Sequence, residues 1–216
     1  MSNKINKRTL IITVLLCLLP ILYGIINYDK MPERVAIHFD SYNQPDGWAP
    51  KSLAVLLPLP LALLQGFLCI VSDRKMENSK ANRKIMNISK FIVPVVTIFV
   101  YISTINIALG QNIDIRKNAC ILIGFIFVII GNYLPKTKQN IIVGVKTCQT
   151  IRDEKKWAKM NKIMGIVFIV SGFLICISGF MGPLISIIFI GPLISIIFIG
   201  LFITITIVIT IYASLY

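Results

Sequence analysis

The sequence predicts an all-α integral membrane protein, a six-helix transmembrane bundle with a small exterior loop domain after the first span. The 216 residues are 56% hydrophobic, and their mean hydropathy of +0.81 is far above that of a soluble domain. A helix crosses the hydrocarbon core with about 17–25 apolar residues, and helices of this length satisfy their own backbone in lipid. Six uncharged stretches are candidate spans, at 10–27, 52–71, 91–109, 119–134, 163–179 and 184–216. The fourth is short and the last is long, and the other four fit this length. We treat 1–216 as a single membrane domain.

The positive charge is distributed very unevenly between the loops. Of 22 Lys and Arg residues, 17 lie before the first span or in the loops 72–90 and 135–162, and 5 lie in the alternate loops. The positive-inside rule therefore predicts cytoplasmic N- and C-termini in a bacterial cell membrane. The net charge of +13 would suggest nucleic acid in a soluble protein. Here attraction of the basic loops to anionic lipid explains it, and no direct nucleic-acid binding is expected.

The first span and the cysteines exclude two other interpretations. The basic N-terminus followed by an apolar run resembles a signal peptide, but no small-residue cleavage site follows, so we predict an uncleaved span. Four of the five cysteines fall within spans, and Cys148 falls in the loop 135–162. They predict neither a disulfide framework nor a metal framework.

The loop 28–51 is the only sizeable exterior segment. Alternation of Val35, Ile37 and Phe39 predicts a short strand. Pro45-Asp46-Gly47 predicts a turn, because Pro presets φ and Gly accepts a positive φ. Trp48 follows where the chain re-enters the membrane, as interfacial Trp often does.

Proline and polar residues inside the spans have two interpretations. Pro20, Pro58, Pro60 and Pro94 are expected to kink their helices. The freed carbonyls either line a cavity or accompany simple packing of kinked helices, and we favour the second. No ionisable residue lies well inside a span, which argues against a proton relay or ion-coupled carrier. The polar residues of the spans are Gln65, Thr97, Tyr101, Ser103, Thr104, Asn106 and Asn132.

Helical spacing places Thr97, Tyr101 and Thr104 on one face of the third span. A hydroxyl-bearing face in lipid more often bonds a neighbouring helix than a substrate. We therefore expect these three side chains to contact another span.

The tail beyond residue 163 carries no charge and must fold back, with the best turn at 179–183. The segment 182–199 is a tandem repeat that reads GPLISIIFI twice. Nine residues make 2.5 helical turns, so the two copies present their side chains about 180° apart. We interpret the second copy as a local duplication that lengthens the last span. The alternative, two short spans meeting at Gly200, would give seven spans and an exterior C-terminus.

No motif predicts catalysis, so no enzyme activity, cofactor or metal is expected. The single histidine, His38, lies near Asp40 and Asp46, which is a weak metal signal beside the ordinary explanation of a surface-loop histidine. The chain contains no Gly-x-Ser-x-Gly, His-Glu-x-x-His, P-loop or Rossmann glycine pattern.

The basic loop 135–162 is the most informative cytoplasmic segment. Gly144 interrupts the strand-like run 141–143. Thr150 followed by Asp153 predicts a helix N-cap, and a basic amphipathic helix is expected from about Ile151 into the fifth span, with Trp157 at the interface. This surface is expected to bind anionic lipid and is also a candidate for docking a cytoplasmic partner.

Two motifs make the chain similar to the SdpI family of bacterial multi-pass membrane immunity proteins. The first resembles the exterior domain of many members and consists of Pro32, Ile37-His38-Phe39, Pro45-Asp46-Gly47-Trp48 and Lys51. The second resembles the cytoplasmic motif of the family and consists of Gly131-Asn132, Asn140, Gly144-Val145-Lys146-Thr147, Thr150, Asp153-Glu154, Trp157 and Gly165. The resemblance covers residues 10 to 179.

The chain differs from the family pattern at a few positions. Members usually carry Arg at the position of Lys146 and Pro-Trp at the positions of Cys148 and Gln149. Lys does not reproduce a bidentate Arg contact. Members often have Gly near Asn43, and Asn tolerates the left-handed conformation.

The resemblance implies immunity to a secreted, SDP-like peptide toxin outside the cell, and retention of an ArsR-type autorepressor at the membrane inside it. The toxin-contact candidates are His38, Phe39, Asp46, Gly47 and Trp48. The cytoplasmic partner or lipid candidates are Asn140, Gly144, Lys146, Thr147, Thr150 and Trp157. Two other functions stay open: a small transporter or exporter that uses the kinked helices, and a purely regulatory membrane anchor.

Overall fold

The computed structural model describes residues 5–74, 80–140 and 143–188, and this part of the chain is mostly helical. Five helical segments in it are long and apolar enough to cross a membrane, which confirms the predicted all-α membrane fold. The sixth predicted span and most of the tandem repeat lie outside the described residues. The helices are α1 Lys7–Leu18, α2 Pro20–Ile26, α3 Lys51–Leu56, α4 Pro58–Arg74, α5 Lys80–Ser89, α6 Ile92–Ala108, α7 Ile115–Tyr133 and α8 Glu154–Ser178, and the strands are β1 Arg34–Phe39 and β2 Pro45–Pro50.

Successive spans run in opposite directions, so the bundle has two distinct ends. The end that carries β1 and β2 is called the hairpin end, and the end that carries α5 and the segment 135–153 is called the basic end. The first two spans are each divided at a proline: Pro20 begins α2 and Pro58 begins α4. Proline has no N–H for the helical ladder. Where α3 gives way to α4, the carbonyl of Val55 accepts a hydrogen bond of 3.2 Å from the Tyr101 hydroxyl.

Strands β1 and β2 form an antiparallel hairpin, with Val35 opposite Ala49 and Ala36 opposite Trp48. The predicted strand at Val35–Phe39 is confirmed. The predicted turn at Pro45-Asp46-Gly47 is wrong, because these residues begin β2. The turn lies at 40–44, where Asn43 adopts φ +63°. The Asp40 carboxylate fixes it by accepting from the backbone N–H groups of Tyr42 and Gln44; such local bonds make Asp and Asn turn residues.

Helices α1, α4 and α6 enclose a polar interior. Thr13, Cys17 and Cys69 are fully buried, and the Thr13 hydroxyl lies 3.6 Å from the Cys69 sulfur. Thr97, Tyr101 and Thr104 are all buried on α6, and the Tyr101 bond to α3 fits the expected role of this face in contacting another span. Polar side chains therefore connect the helices rather than face lipid.

Helices α7 and α8 pack together through glycines on both sides of the contact. A Cβ on Gly131 would lie 2.6 Å from the carbonyl oxygen of Gly165, and a Cβ on Gly165 would lie 2.7 Å from that of Gly131. One heptad away, Gly124 and Gly172 show the same reciprocal relation, with distances of 2.5 and 2.6 Å. Small residues allow membrane helices to approach until their backbones touch. α8 then ends at Ser178, and the chain turns with Gly182 at φ +100°, in agreement with the predicted turn.

The basic end contains a buried ion pair that loop counting does not reveal. Lys90, predicted to lie in the loop 72–90, is buried, and its ammonium lies 2.5 Å from the carboxylate of Asp73. The other carboxylate oxygen of Asp73 accepts from the backbone N–H of Asn6, 3.0 Å away. The carbonyl of Lys90 accepts from the Gln65 side chain. The pair therefore joins the ends of α1, α4 and α6.

Candidate functional site

One face of the hairpin packs against the helices. Val35 of β1 belongs to a buried cluster with Met31, Val55, Tyr101 and Ile105. His38 of β1 is exposed whereas Val35 is buried, so His38 belongs to the outer face of the hairpin and Val35 to the inner one. The hairpin is therefore a fixed part of the bundle with one face free for contact.

The outer face carries most of the predicted toxin-contact residues. The His38 Nδ1 atom lies 2.5 Å from a carboxylate oxygen of Asp46. Trp48, opposite Ala36 in the ladder, is 48% exposed. Gly47 lies opposite His38, where a Cβ would approach the His38 Cβ to 2.8 Å. His38, Asp46 and Trp48 are exposed, and we call these three residues the outer patch; Phe39 is half-buried.

Asn43 ties the hairpin turn to the start of α7. Its side-chain oxygen accepts from the N–H of Ile115 at 2.9 Å, and its amide donates to the carbonyl of Ile113 at 3.2 Å. Asn43 thus supplies both the left-handed turn conformation and a contact between distant segments. Glycine, frequent near this position in the resembling family, would supply only the first.

A cavity of about 260 Å³ lies beneath the hairpin, between the proline-divided second span and α6. Its lining is largely apolar, and the hydroxyl-bearing side chains of α6 are its polar part. The broken second span therefore borders a cavity through the side chains of Pro58 and Pro60. Whether carbonyls freed by these prolines line it stays a prediction. The lining residues are Ile37, Leu57, Pro58, Pro60, Leu61, Thr97, Val100, Tyr101 and Thr104.

At the basic end, Trp157 organises the segment that precedes α8. It is 2% exposed, and its indole N–H donates to the carbonyl of Thr137 at 2.9 Å. Gly144 at φ +124° lies so close that a Cβ would approach the indole to 2.5 Å. One turn along α8, the Asn161 side chain accepts from the N–H of Val145. Trp157 was expected at the membrane interface, but the described contacts bury it inside the protein.

Thr150 stabilises the turn that follows Val145. Its hydroxyl donates to the carbonyl of Val145 at 2.8 Å and accepts from the N–H of Thr147. The prediction that Thr150 caps a helix beginning near Ile151 is wrong. Asp153 is the N-cap and accepts from the N–H groups of Lys155 and Lys156. The Thr150 hydroxyl is unavailable for capping because it is bonded within its own turn.

The cytoplasmic candidates divide into internal and exposed residues. Trp157 and Thr150 are buried, whereas Lys146 and Thr147 are exposed. Partial desolvation lowers the pKa of the Lys146 ammonium from its usual value. Asn140 donates from its side-chain amide to the carbonyls of Lys138 and Val143, which shapes the segment from within.

The polar contacts described for these sites hold side chains and backbone segments in position. None of them pairs a nucleophilic side chain with a general base. In the described ranges, no three His, Cys, Asp or Glu side chains are close enough to share a metal ion. Sequence reasoning missed two contacts within the bundle: the Asp73–Lys90 pair and the hydrogen bond from the Tyr23 hydroxyl to Asn106. Each joins two different spans, and neither has a local sequence pattern.

Comparison with known proteins finds matches to both ends of the bundle. The domain of unknown function DUF1648 matches residues 15–61, which include the hairpin. The SdpI/YfhL protein family matches residues 136–213, which include the segment held by Trp157. The immunity protein SdpI of Bacillus subtilis (strain 168) is 26% identical over 174 residues, covering 81% of this chain and 82% of that protein. No solved structure matches. These matches confirm the resemblance seen in the two motifs: the chain is similar to the SdpI/YfhL protein family over residues 136–213 and to an SdpI immunity protein over four-fifths of its length.

Proposed function

We propose that this protein is a non-enzymatic membrane immunity protein that protects a bacterial cell from a secreted antimicrobial peptide. The observation that carries the proposal is the similarity to an immunity protein over four-fifths of both chains. The similarity spans both ends of the bundle, so the proposal concerns the whole protein and not a shared helix pattern.

The hairpin end is the proposed toxin-binding region, facing the cell exterior, with both termini in the cytoplasm. The distribution of Lys and Arg supports this orientation, because 17 of the 22 lie on the basic side of the spans. The outer patch offers an exposed indole beside a polar His–Asp pair. Aromatic residues of this kind often dominate the binding free energy of protein interfaces.

The cavity beneath the hairpin supports the same location. It borders the membrane-spanning part of α6 and is lined mainly by apolar side chains. A membrane-active peptide carries apolar side chains that must leave water, and a cavity of this kind can accept one of them. In this proposal the outer patch contacts the polar part of the toxin and the cavity accepts an apolar side chain.

Survival of toxin-sensitive Gram-positive cells tests the proposal directly. Cells expressing the full chain are challenged with an SDP-like peptide and with unrelated membrane-active peptides. Protection restricted to one peptide class supports specific immunity. Absence of protection against every peptide, with the protein present in the membrane at normal level, contradicts it.

Replacing Trp48 by alanine is expected to reduce the protective effect at least tenfold, since an aromatic residue buried in an interface often contributes about 2 kcal/mol or more. His38→Ala is expected to have a smaller effect because Asp46 keeps its charge in the patch. The measurement is the inhibitory peptide concentration at matched membrane levels of protein. Tyr42→Ala is the control, because Tyr42 is a 59% exposed aromatic of the same hairpin outside the patch. Full protection by both patch variants would remove the outer face from the mechanism.

A second role, retention of an ArsR-type repressor at the membrane, is supported by the folded segment at the basic end. Thr147, Cys148 and Gln149 are exposed on a turn that Thr150 and Trp157 hold from inside. An exposed turn on a buried framework is suited to recognition by a soluble partner.

Co-sedimentation of a soluble repressor with membranes tests this role. Deleting the whole segment would remove Trp157 and with it the internal packing, so exposed-residue variants are sharper. Gln149→Ala combined with Cys148→Ala is expected to release the repressor while toxin protection persists. Thr147 is left unchanged because its hydroxyl accepts from the N–H of Thr150 and so shapes the turn. Arg152→Ala, also exposed but outside the 147–149 turn, is the control. Retention of the repressor by the double variant would argue against this turn as the docking site.

A further inference from the structure

A groove of about 630 Å³ at the basic end lies between the 147–150 turn and the first turns of α8. The ammonium-bearing side chains of Lys156 and Lys159 line it together with Met160. Both lysines are exposed, and no carboxylate of the described residues lies within ion-pair distance of either. The groove therefore presents two cations that have no counter-ion among the described residues.

Cys148 and Gln149 of the 147–150 turn also line the groove. Within the described part of the chain, their backbone N–H groups have no protein acceptor. Lysine ammonium groups and unpaired backbone N–H groups are donors that proteins use to bind phosphate oxygens. The two lysines therefore make the groove suitable for the phosphate group of a ligand.

The face of α8 that lines the groove continues as a lipid-facing stripe. Residues three or four apart share a helix face, so Lys156 and Lys159 are followed on the same face by Ile163, Val167 and Val170. These three apolar side chains are 45–52% exposed in the structure. Ile163 lies four residues beyond Lys159, about 6 Å along the helix axis. The opposite face carries the buried Trp157 and Asn161.

We propose that this groove binds the phosphate headgroup of an anionic phospholipid, whose acyl chains lie along the apolar stripe of α8. The continuity of cationic groove and exposed apolar stripe favours a lipid over free phosphate, which would use only the groove. It equally favours a lipid over an acidic peptide, because a soluble peptide would not contact an apolar stripe inside the membrane. The inference requires that the bundle spans a membrane and does not depend on the immunity function.

The test measures lipid retained by the purified full chain. The protein is extracted from vesicles that contain equal amounts of phosphatidylglycerol and phosphatidylcholine. Mass spectrometry of the intact protein–lipid complex then gives the ratio of the two lipids that stay bound. The double variant Lys156→Gln and Lys159→Gln is expected to lower the retained phosphatidylglycerol ratio by about tenfold, because each lysine contributes attraction to anionic lipid. Lys155→Gln with Lys162→Gln is the matched control: it removes the same charge from exposed residues that do not line the groove.

Loss in the groove variant with retention in the control supports the proposal. Equal losses in both variants would show general attraction of a basic surface to lipid and overturn a specific site. No loss in the groove variant overturns it as well. Displacement of phosphatidylglycerol by millimolar inorganic phosphate would assign the groove to a free anion. Because no toxin is used, these results are independent of the immunity proposal.

Discussion

Replacing Asp73 by alanine is expected to destabilise the protein by about 3–5 kcal/mol, because it leaves the ammonium of Lys90 buried without a counter-charge. Both side chains of the pair are almost completely buried, with exposures of 3% and 4%. The same substitution removes the acceptor of the Asn6 N–H and so loosens the start of α1. The measurement is the unfolding midpoint in a denaturing-detergent titration of the purified protein.

Two controls separate the ion pair from other effects of the substitution. Arg74→Ala changes the adjacent residue, which is exposed, and is expected to shift the midpoint very little. The double variant Asp73→Leu and Lys90→Met is expected to recover much of the lost stability, because an apolar pair of similar volume removes the unpaired charge. A midpoint for Asp73→Ala equal to that of the parent protein would contradict the structural role of the pair.

The buried position of the Asp73–Lys90 pair shows what assigning charged residues to loops from the sequence cannot predict. Hydropathy correctly predicted the five long apolar helices of the described chain, because apolar length is a local property. Counting Lys and Arg by loop assigned Lys90 to a solvated loop. Its partner is 17 residues away on another helix, and only the packing of α4 against α6 decides that the two charges meet.

The hairpin was half predicted for a similar reason. Alternation of apolar residues revealed β1, whereas β2 contains Pro45, Gly47 and Pro50 and has no strand pattern of its own. Proline is compatible with an edge strand, and cross-strand pairing with β1 holds the segment extended. The outer patch follows from this pairing, since it brings His38 to Asp46 across the ladder.

At the basic end the sequence identified the important residues but not their roles. Thr150 and Trp157 were expected to cap a helix and to meet the membrane interface. In the structure both side chains are buried, and their hydrogen bonds hold the exposed 147–149 turn in place. A tryptophan beside lysines at a membrane boundary is typical of an interfacial anchor. Only the contact with Gly144 and the bond to Thr137 show that this one is enclosed.

A methyl group added at the α7–α8 contact is expected to have the second large effect on stability. Gly131→Ala places a Cβ 2.6 Å from the carbonyl oxygen of Gly165, a distance that requires the two backbones to separate. Overpacking of this kind costs about 1–3 kcal/mol. The separation also strains the reciprocal Gly124–Gly172 contact one heptad away, so the lost packing extends along the helix pair.

Gly66→Ala is the matched control, because Gly66 is also a glycine within a membrane-spanning helix. A Cβ there would lie 3.7 Å from a methyl group of Val14, an ordinary van der Waals contact. We therefore expect little loss of stability, since alanine also favours the helix over glycine. The detergent unfolding midpoint of each variant is compared with the parent. Equal midpoints for the two variants would mean that the close approach of α7 and α8 contributes nothing specific. A selective loss in Gly131→Ala would show that backbone contact between α7 and α8 stabilises the bundle.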